Sequence, residues 1–490
     1  MSIATEIARL QNAKVDLKTS INAKNDSEHQ ITTETIDDYA DFVDSIETGG
    51  GSATLQTKSV TISTNTTTTI SPDEGYDGMS SVNVTTLVPI PGVSVSGKDV
   101  NFYDYDGVRL YAYTKNEFLA LESLPANPTH TGLTAQGWNW TLADAKTFVT
   151  NNDKLDIGQM YITSDGKTRI YIELTEGRLS PIFTIGFSGS GSVNVDWGDS
   201  TSETLSANNT SASKKHTYPT ASNYVITIEP VGNSSLIFVG NNISFSRILN
   251  YSSNPGNSNE PHVYQNTIKK IEIGSNFHVS NGIGLYAFGN CQNLETITIP
   301  KYLTRIWGQA FQSCYSLKAL VIPNEVTIVD GNAFENCSSL KHIIFPNTIT
   351  TWSVNMVAYA RMLESVVVPT GYTSMPQQLF DGCTTLKYIT IPEGITTIGR
   401  YAIRSCYSLA KIKFPSTLTS ITQQAFIYDY GMIEYDFSKC EAIPTLQNSN
   451  AFTGIPTGCK IIVPDALYET WITESGWSTY ASYIVKKSEI

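Results

Sequence analysis

Charge is scarce in this chain. Only 16% of its 490 residues are Asp, Glu, Lys or Arg, against about 25% in ordinary globular proteins. Ser, Thr, Asn and Tyr take up the difference, which points to β-rich, hydroxyl-covered surfaces. Bases are the scarcer sign: 32 Lys and Arg face 45 Asp and Glu, a net charge of −13. That excess of acid argues against a nucleic-acid backbone as partner, which needs clustered bases. No run of about 18 apolar residues occurs, so no segment reads as a membrane span. The six histidines are scattered without an HExxH pair, and no GxSxG elbow, Walker lysine loop or dinucleotide fingerprint is present. Asp104-Tyr105-Asp106-Gly107 is read as an acidic turn, because the alternating α/β frame of a DxDG phosphatase is missing. Asp153, Asp156 and Asp165 lack the loop spacing of a calcium site. No catalytic residue, metal site or cofactor is therefore expected. Two carboxylates facing a groove would suffice for a glycosidase, so a tail-associated cell-wall hydrolase stays open as a minor reading.

What is present begins with an acidic, helical start. Residues 1–50 hold ten acids and four bases, and all eight charges from Asp26 to Glu47 are acidic. Ile3, Ile7, Leu10, Leu17 and Ile21 alternate at spacings of four and three, and Lys14 fills the remaining seam position. This is a coiled-coil pattern with a polar residue that sets register and oligomer state. It is equally the pattern of an amphipathic helix packed on its own chain. A second helix is predicted from Thr35 to Ile46, and Gly49-Gly50-Gly51-Ser52 supplies a hinge. Residues 1–51 form a docking and oligomerisation segment, with a homotrimer as the expected state. Glu6 and Arg9 interrupt the first residues, so they do not read as a secretory signal. Synthesis in a host cytoplasm and release by lysis is the expectation.

Residues 52–98 are predicted as a small β or linker domain, with Val60, Ile62, Ile70, Val82 and Val84 at period-two positions. The helices followed by SPDEGYDGMSSVNV resemble the N-terminal region of tail proteins from bacteriophages of Gram-positive gut bacteria. Residues 99–180 read as a small α+β module with one helix near Thr141–Thr150, capped by Thr141, and with Trp138 and Trp140 in its core. Its wording also resembles phage tail modules. Residues 181–265 read as a β-sandwich. VNVDWGDS and KKHTYPTASNYVITI, carried by Asp196, Trp197, Gly198, Asp199, His216, Thr217 and Tyr218, resemble a polycystic-kidney-disease (PKD)-like immunoglobulin-type domain. The resemblance implies a rigid spacer with Trp197 in its core.

The strongest signal is repetition. Cys291, Cys314, Cys337, Cys383 and Cys406 lie on one 23-residue lattice, with Ala360 at the skipped point. Leu294 to Leu409 and Pro300 to Pro415 keep the same period. Each unit reads A-F-x-x-C-x-x-L-x-x-I-x-I-P, then a second apolar pair. No unit can bury its own apolar edge, but a stack buries a continuous core, so residues 266–437 are a solenoid. The unit resembles BspA-like leucine-rich repeats, found in surface and adhesion proteins. The unit at 356–369, with Met356-Val357 and Ala360, is expected to be looser. The lattice cysteines are read as reduced core thiols; Cys440 and Cys459 lie off it, and whether they pair is open. Residues 438–490 are expected to cap the last rung with an amphipathic helix carrying Trp471 and Trp477. The fold class is thus multidomain and mainly β.

Two outward-facing columns are the candidate binding surface. Val321, Ile344 and Val367 align on three adjacent strands about 4.7–4.9 Å apart. Such an apolar row meets either a host receptor or a neighbouring domain or subunit. The column beside the cysteines carries Tyr315, Arg361, Tyr407 and Tyr430, and Tyr388 adds another aromatic candidate. Together these features predict a phage tail component, fibre or tip, that joins other tail or baseplate proteins through its N-terminus. Its repeats would meet a bacterial cell-surface glycan or protein. A BspA-like bacterial surface adhesin is the alternative.

Overall fold

The computed structural model describes residues 99–188, 190–208, 211–236, 267–275 and 282–490, together with two short strands further upstream. The chain divides into two units, Met1–Gly92 and Val93–Ile490. In the first, β1 (Thr68–Ile70) and β2 (Val82–Val84) pair antiparallel. Ile3, Ile7, Leu10, Lys14, Leu17 and Ile21 lie outside the described residues, as does the helix expected at Thr35–Ile46.

The second unit opens with β3 (Val100–Tyr103), β4 (Arg109–Tyr113), β5 (Leu133–Trp138) and β6 (Leu155–Thr163). They form a four-stranded sheet in the order β4-β3-β6-β5. Helix α1 (Lys115–Leu119) starts in a capping box between Thr114 and Glu117. Helix α2 (Leu142–Asn151) starts where Thr141 accepts the Asp144 N–H, and it buries Ala145, Phe148 and Val149. Trp138 and Trp140 are core residues, each with its indole N–H bound, to Pro125 O at 2.9 Å and to Phe345 O at 3.0 Å.

The next strand, β7 (Thr168–Glu173), leaves that sheet. The module read as residues 99–180 therefore divides, and its last strand joins the sheet built by the residues after it. Those residues form β8 (Ile182–Ser188), β9 (Ser190–Asp196), β10 (Ser202–Asn208), β11 (Ser211–Lys215), β12 (Asn223–Gly232) and β13 (Ser235–Leu236). Strand β7 pairs antiparallel with β12 on one side and with β14 (Ile268–Glu272) on the other. Strand β14 then pairs parallel with Thr296–Ile297. One sheet thus runs from these antiparallel strands straight into the solenoid. Beside it lies a three-stranded sheet, β11-β8-β13. Trp197 is buried with His216 stacked on it at 4.7 Å, and Asp199 holds the imidazole at 2.7 Å. Gly198 has φ +79°, and a Cβ there would lie 2.6 Å from Val225 O, so glycine is required at this turn.

From β14 onward the chain coils. One parallel ladder includes Ala319–Val321, His342–Ile344, Ser365–Val367 and Tyr388–Thr390, paired residue to residue at a separation of 23. A second ladder includes Arg305–Ile306, Ile328–Val329 and Thr351–Trp352, then Ser374–Met375, Thr397–Ile398 and Ser420–Ile421. The A-F segments close each coil with two left-handed residues. Asn290, Ser313, Asn336, Tyr359, Ser405 and Tyr428 hold φ between 58° and 68°, with Gly382 in the same column. Gln309, Asn332, Asn355, Gln378, Tyr401 and Gln424 form the second such column. Asparagine, glycine and small polar residues recur there because the left-handed region penalises a Cβ.

The lattice cysteine has a specific task. Cys314, Cys337, Cys383 and Cys406 donate their thiols to the carbonyls of Phe288, Phe311, Val357 and Phe380, one coil back, at 3.1–3.4 Å. These carbonyls sit in the dry core, where an acceptor left half-used is costly. Phenylalanine rings stack beside them, Phe288 on Phe311 at 5.3 Å and Phe311 on Phe334 at 5.7 Å. The unit at 356–369 is not looser. Met356, Val357 and Ala360 are fully buried, and Trp352 fills the volume, packing on Phe345, Tyr372 and Phe380.

The solenoid also passes 437. Lys460–Val463 pairs parallel with Glu434–Asp436, and Ile484–Lys486 pairs with Lys460–Val463. The helix expected in the cap shrinks to α3 (Tyr468–Trp471) and the tighter turns beyond it, while Trp471 and Trp477 are fully buried over the last coils. Cys440 and Cys459 are free thiols, like the other five.

The four-stranded sheet lies across the first ladder. Gly158 meets Val321 so closely that a Cβ would stand 2.5 Å from both of its methyls. Asn139 donates to Ile322 O and Ile344 O at 3.0 and 3.1 Å, and Ser365 donates to Asp156 at 2.7 Å. His342 packs tilted against Tyr103, with centroids 4.5 Å apart and planes at 31°, and its Nδ1 is buried and unpartnered.

This packing makes three outcomes measurable. Gly158→Val overpacks the seam and lowers stability by about 1–3 kcal/mol in urea titrations, and Val321→Ala in the same chain restores part of the loss. Desolvation holds the His342 imidazole below its ordinary 6.5, against the opposing charges of Asp156 and Glu364. Unfolding therefore takes up a proton as pH falls below 6.5. The melting temperature drops through that window, and less so in His342→Phe. Burial also pushes the thiols up, to about 12 at Cys337, Cys440 and Cys459. A disulfide reagent added to native protein should react with none of the seven cysteines, and with all of them in guanidinium.

Candidate recognition surface

The apolar row and the aromatic column have different fates. Val321, Ile344 and Val367 are only 5%, 2% and 7% exposed. Val321 and Ile344 cluster with Tyr103 and Met160, and Val367 joins Phe102, Trp138, Trp140 and Phe148. They are an internal seam and not a free surface. The physical reason is that the outer face of a parallel strand must be covered when it is apolar, and the upstream module covers it. Of the two occupants that the sequence allowed, the neighbouring domain is the one found.

The column beside the cysteines stays in solvent. Tyr315, Tyr407 and Tyr430 are 42%, 48% and 60% exposed, and Arg361 is exposed too. Tyr407 and Tyr430, one coil apart, stack with centroids 5.9 Å apart and planes 16° from parallel. Tyr388 is exposed but stands apart from this column. It continues the first ladder just beyond the covering module, where Lys154 lies over its ring at 4.3 Å.

The structure adds two residues to this column. Tyr428, in a left-handed position, lies 5.9 Å from Tyr430, and Ile433 is 56% exposed on the same coil. Their signal was available in the lattice. Asp429 falls on the lattice point where five other coils carry cysteine and one carries Ala360, and an acid in a core column marks a coil doing something different.

Asp429 is fully buried and accepts the Cys406 N–H at 2.8 Å. Burial pushes its carboxyl well above the usual range, opposed by the Cys406 N–H and reinforced by Asp381. The loop Tyr428–Gly431 is thereby tied to the coil before it. Gly431 allows the approach, since a Cβ there would come within 1.9 Å of Tyr407 O. Gly454 completes the nest, with its ideal Cβ 3.3 Å from Tyr430 and 3.5 Å from Tyr428. The result is an exposed aromatic ridge whose loop is tied to the coils on either side. Such groups give contact area at low conformational cost. Next to it Asp381 is gripped by Arg404 through both oxygens, with Tyr359 also on the carboxylate. Among the described residues, no group of three His, Cys, Asp or Glu is placed to hold a metal ion, and no helix is long and apolar enough to cross a membrane.

Family likeness agrees with this architecture. Residues 260–371 and 358–468 match the sequence family described as BspA type leucine rich repeat region, in six copies. Among solved structures, a leucine-rich repeat protein of T. pallidum is 30% identical, over 26% of this chain and 60% of its own, with a TM-score of 0.25. This chain therefore spans less than two thirds of that protein. A leucine-rich repeat protein of Eubacterium ventriosum is 27% identical over 33% of this chain and 41% of its own, at a TM-score of 0.27. One from Bacteroides ovatus is 17% identical over 45% and 84%, at 0.24. No curated protein sequence matches. The coils of this chain thus match the BspA type leucine rich repeat region between residues 260 and 468, a little under half of the chain.

Proposed function

We propose that this protein is a non-catalytic attachment protein whose solenoid presents the Tyr407–Tyr428–Tyr430 ridge to a bacterial cell surface. The observation that carries this reading is the exposed, backbone-locked tyrosine stack, left in water while the neighbouring apolar row is covered. Individually weak contacts of this kind gain strength when several copies engage one surface.

The setting we infer is a bacteriophage tail, as a fibre or tip. The wording SPDEGYDGMSSVNV and the heptad-like seam from Ile3 to Ile21 support it. On this reading the N-terminal segment docks the chain, as a homotrimer, to other tail or baseplate proteins. The strands around Trp197 act as a PKD-like spacer, and the protein resides in the virion. The BspA-type repeats favour a second setting, a bacterial surface adhesin, in which the same ridge meets a partner cell.

Binding of fluorescent full-length chain to host cells tests the ridge. The double variant Tyr407→Ala, Tyr430→Ala should bind at least about tenfold more weakly, a loss of about 1.4 kcal/mol or more, with an unchanged melting temperature. Undiminished binding would sink the proposal. Immunoblots of purified tails and of bacterial surface fractions separate the two settings.

A further inference from the structure

Helix α2 is pinned to the solenoid at both ends and stands off it in the middle. Before the helix, Trp140 donates to Phe345 O at 3.0 Å. After it, Asp153 pairs with Lys413 at 2.5 Å. Between these pins lies a cleft of about 130 Å³, several times the share of one liquid water, about 30 Å³.

Its two walls come from segments about two hundred residues apart in sequence. One wall is the polar stripe Asp144, Thr147 and Asn151 on α2, spaced three and four apart and so on one helix face. The other is the column that follows the repeat prolines: Asn347, Thr370 and Glu393, one from each of three successive coils. Phe148, buried in the module core, closes the floor.

The walls face each other, yet no hydrogen bond joins them. Every polar contact these side chains make stays within its own wall. Asp144 Oδ2 accepts the Thr141 hydroxyl, Thr147 donates to Ala143 O and Asn151 donates to Thr147 O. Across the cleft, Asn347 Oδ1 accepts both the N–H and the hydroxyl of Thr370 at 2.7 Å, and Glu393 accepts Ser416. Among the described residues this leaves Asp144 Oδ1, the Asn151 side-chain carbonyl and the Asn347 amide N–H₂ without protein partners. Amide and carboxylate groups of that kind supply both donors and acceptors to a guest. Trp140 and the exposed Lys413–Asp153 pair join the two walls at either end of α2, and Asp144, Thr147 and Asn151 face solvent across the opening.

We propose that this cleft binds one uncharged sugar unit. Two carboxylates and no Lys or Arg line it, which disfavours phosphate, sulfate or uronate groups by like-charge repulsion. Vicinal hydroxyls match the mixed donors and acceptors of the two walls. The cleft is separate from the tyrosine ridge, and its occupancy does not depend on the ridge being the attachment surface.

Calorimetric titration of the full chain with D-glucose, D-galactose and N-acetyl-D-glucosamine, one at a time, tests the assignment. The expected result is saturable, millimolar binding of at least one sugar. Thr147→Trp, which fills the cleft, and Asp144→Ala should each weaken it at least about tenfold. Their far-ultraviolet spectra should stay native, and Tyr407→Ala should bind the sugar as the parent does. No saturable binding by any of the three, or binding that Thr147→Trp and Asp144→Ala both leave intact, overturns the proposal. Loss of cell attachment in the tyrosine variants alone bears only on the ridge.

Discussion

Backbone pairing between consecutive coils, at a constant offset of 23 residues, is the constraint that every other contact in the C-terminal half presupposes. Each coil lends its neighbour strand hydrogen bonds on two faces and a closing turn on the third. A fixed offset then places like side chains above like. Phenylalanines stack, thiols reach one coil back to the same carbonyl, and prolines end the same strand. Where the offset changes, the surroundings change with it. Ile271 pairs with Ile297, and Glu434 pairs with Lys460, three residues more than the period in each case. Ser420 pairs with Thr445, two residues more than the period, and all three irregular steps lie towards the ends of the stack, where the solenoid joins the antiparallel sheet and where the tryptophan cap begins.

A stack of this kind exposes its outer strand faces, and their composition decides what happens to them. The stretch carrying Ala319, Val321, Ile344 and Val367 is too apolar to stand in water, and the Val100–Thr163 sheet takes it. The contact is close enough to need Gly158, and it is polar enough at its margins, through Asn139, Trp140 and Ser365, to fix one register. The tyrosine ridge on the turn side has hydroxyls of its own and needs no such cover.

Much of this was legible in the chain itself, and the limits are instructive. The lattice of cysteine, leucine and proline could be read because a repeated contact leaves a repeated residue. The Thr141 cap was legible because one hydroxyl and one N–H three residues on make the whole interaction. The occupant of the Val321 row was not, since alternation tells which way a side chain points and not what it meets. The strand Thr168–Glu173 was misplaced for a related reason: its pattern is that of any half-buried strand, and only pairing with Ile268–Glu272, about a hundred residues later, assigns its sheet. The solenoid was expected to end too early, at Phe437, because two extra residues before Thr445 and a third before Lys460 broke the period without breaking the ladders. The ridge was half visible. Tyr407 and Tyr430 stood in a column, and Asp429 on the cysteine lattice marked the coil, while the place of Tyr428 beside Tyr430 depended on a left-handed turn that composition does not announce.

The position of β7, between β12 and β14, has a mechanical meaning. A force applied at the ridge enters the fold through the solenoid. From the first coil that force passes into the upstream strands through the sheet that β7, β12 and β14 share, with the Asn139, Trp140 and Lys413 contacts acting beside it. The described residues from Val100 to the last coil belong to one unit, which holds both the tyrosines and the strands around Trp197. Tension is shared among many bonds in parallel, instead of falling on a single connecting segment.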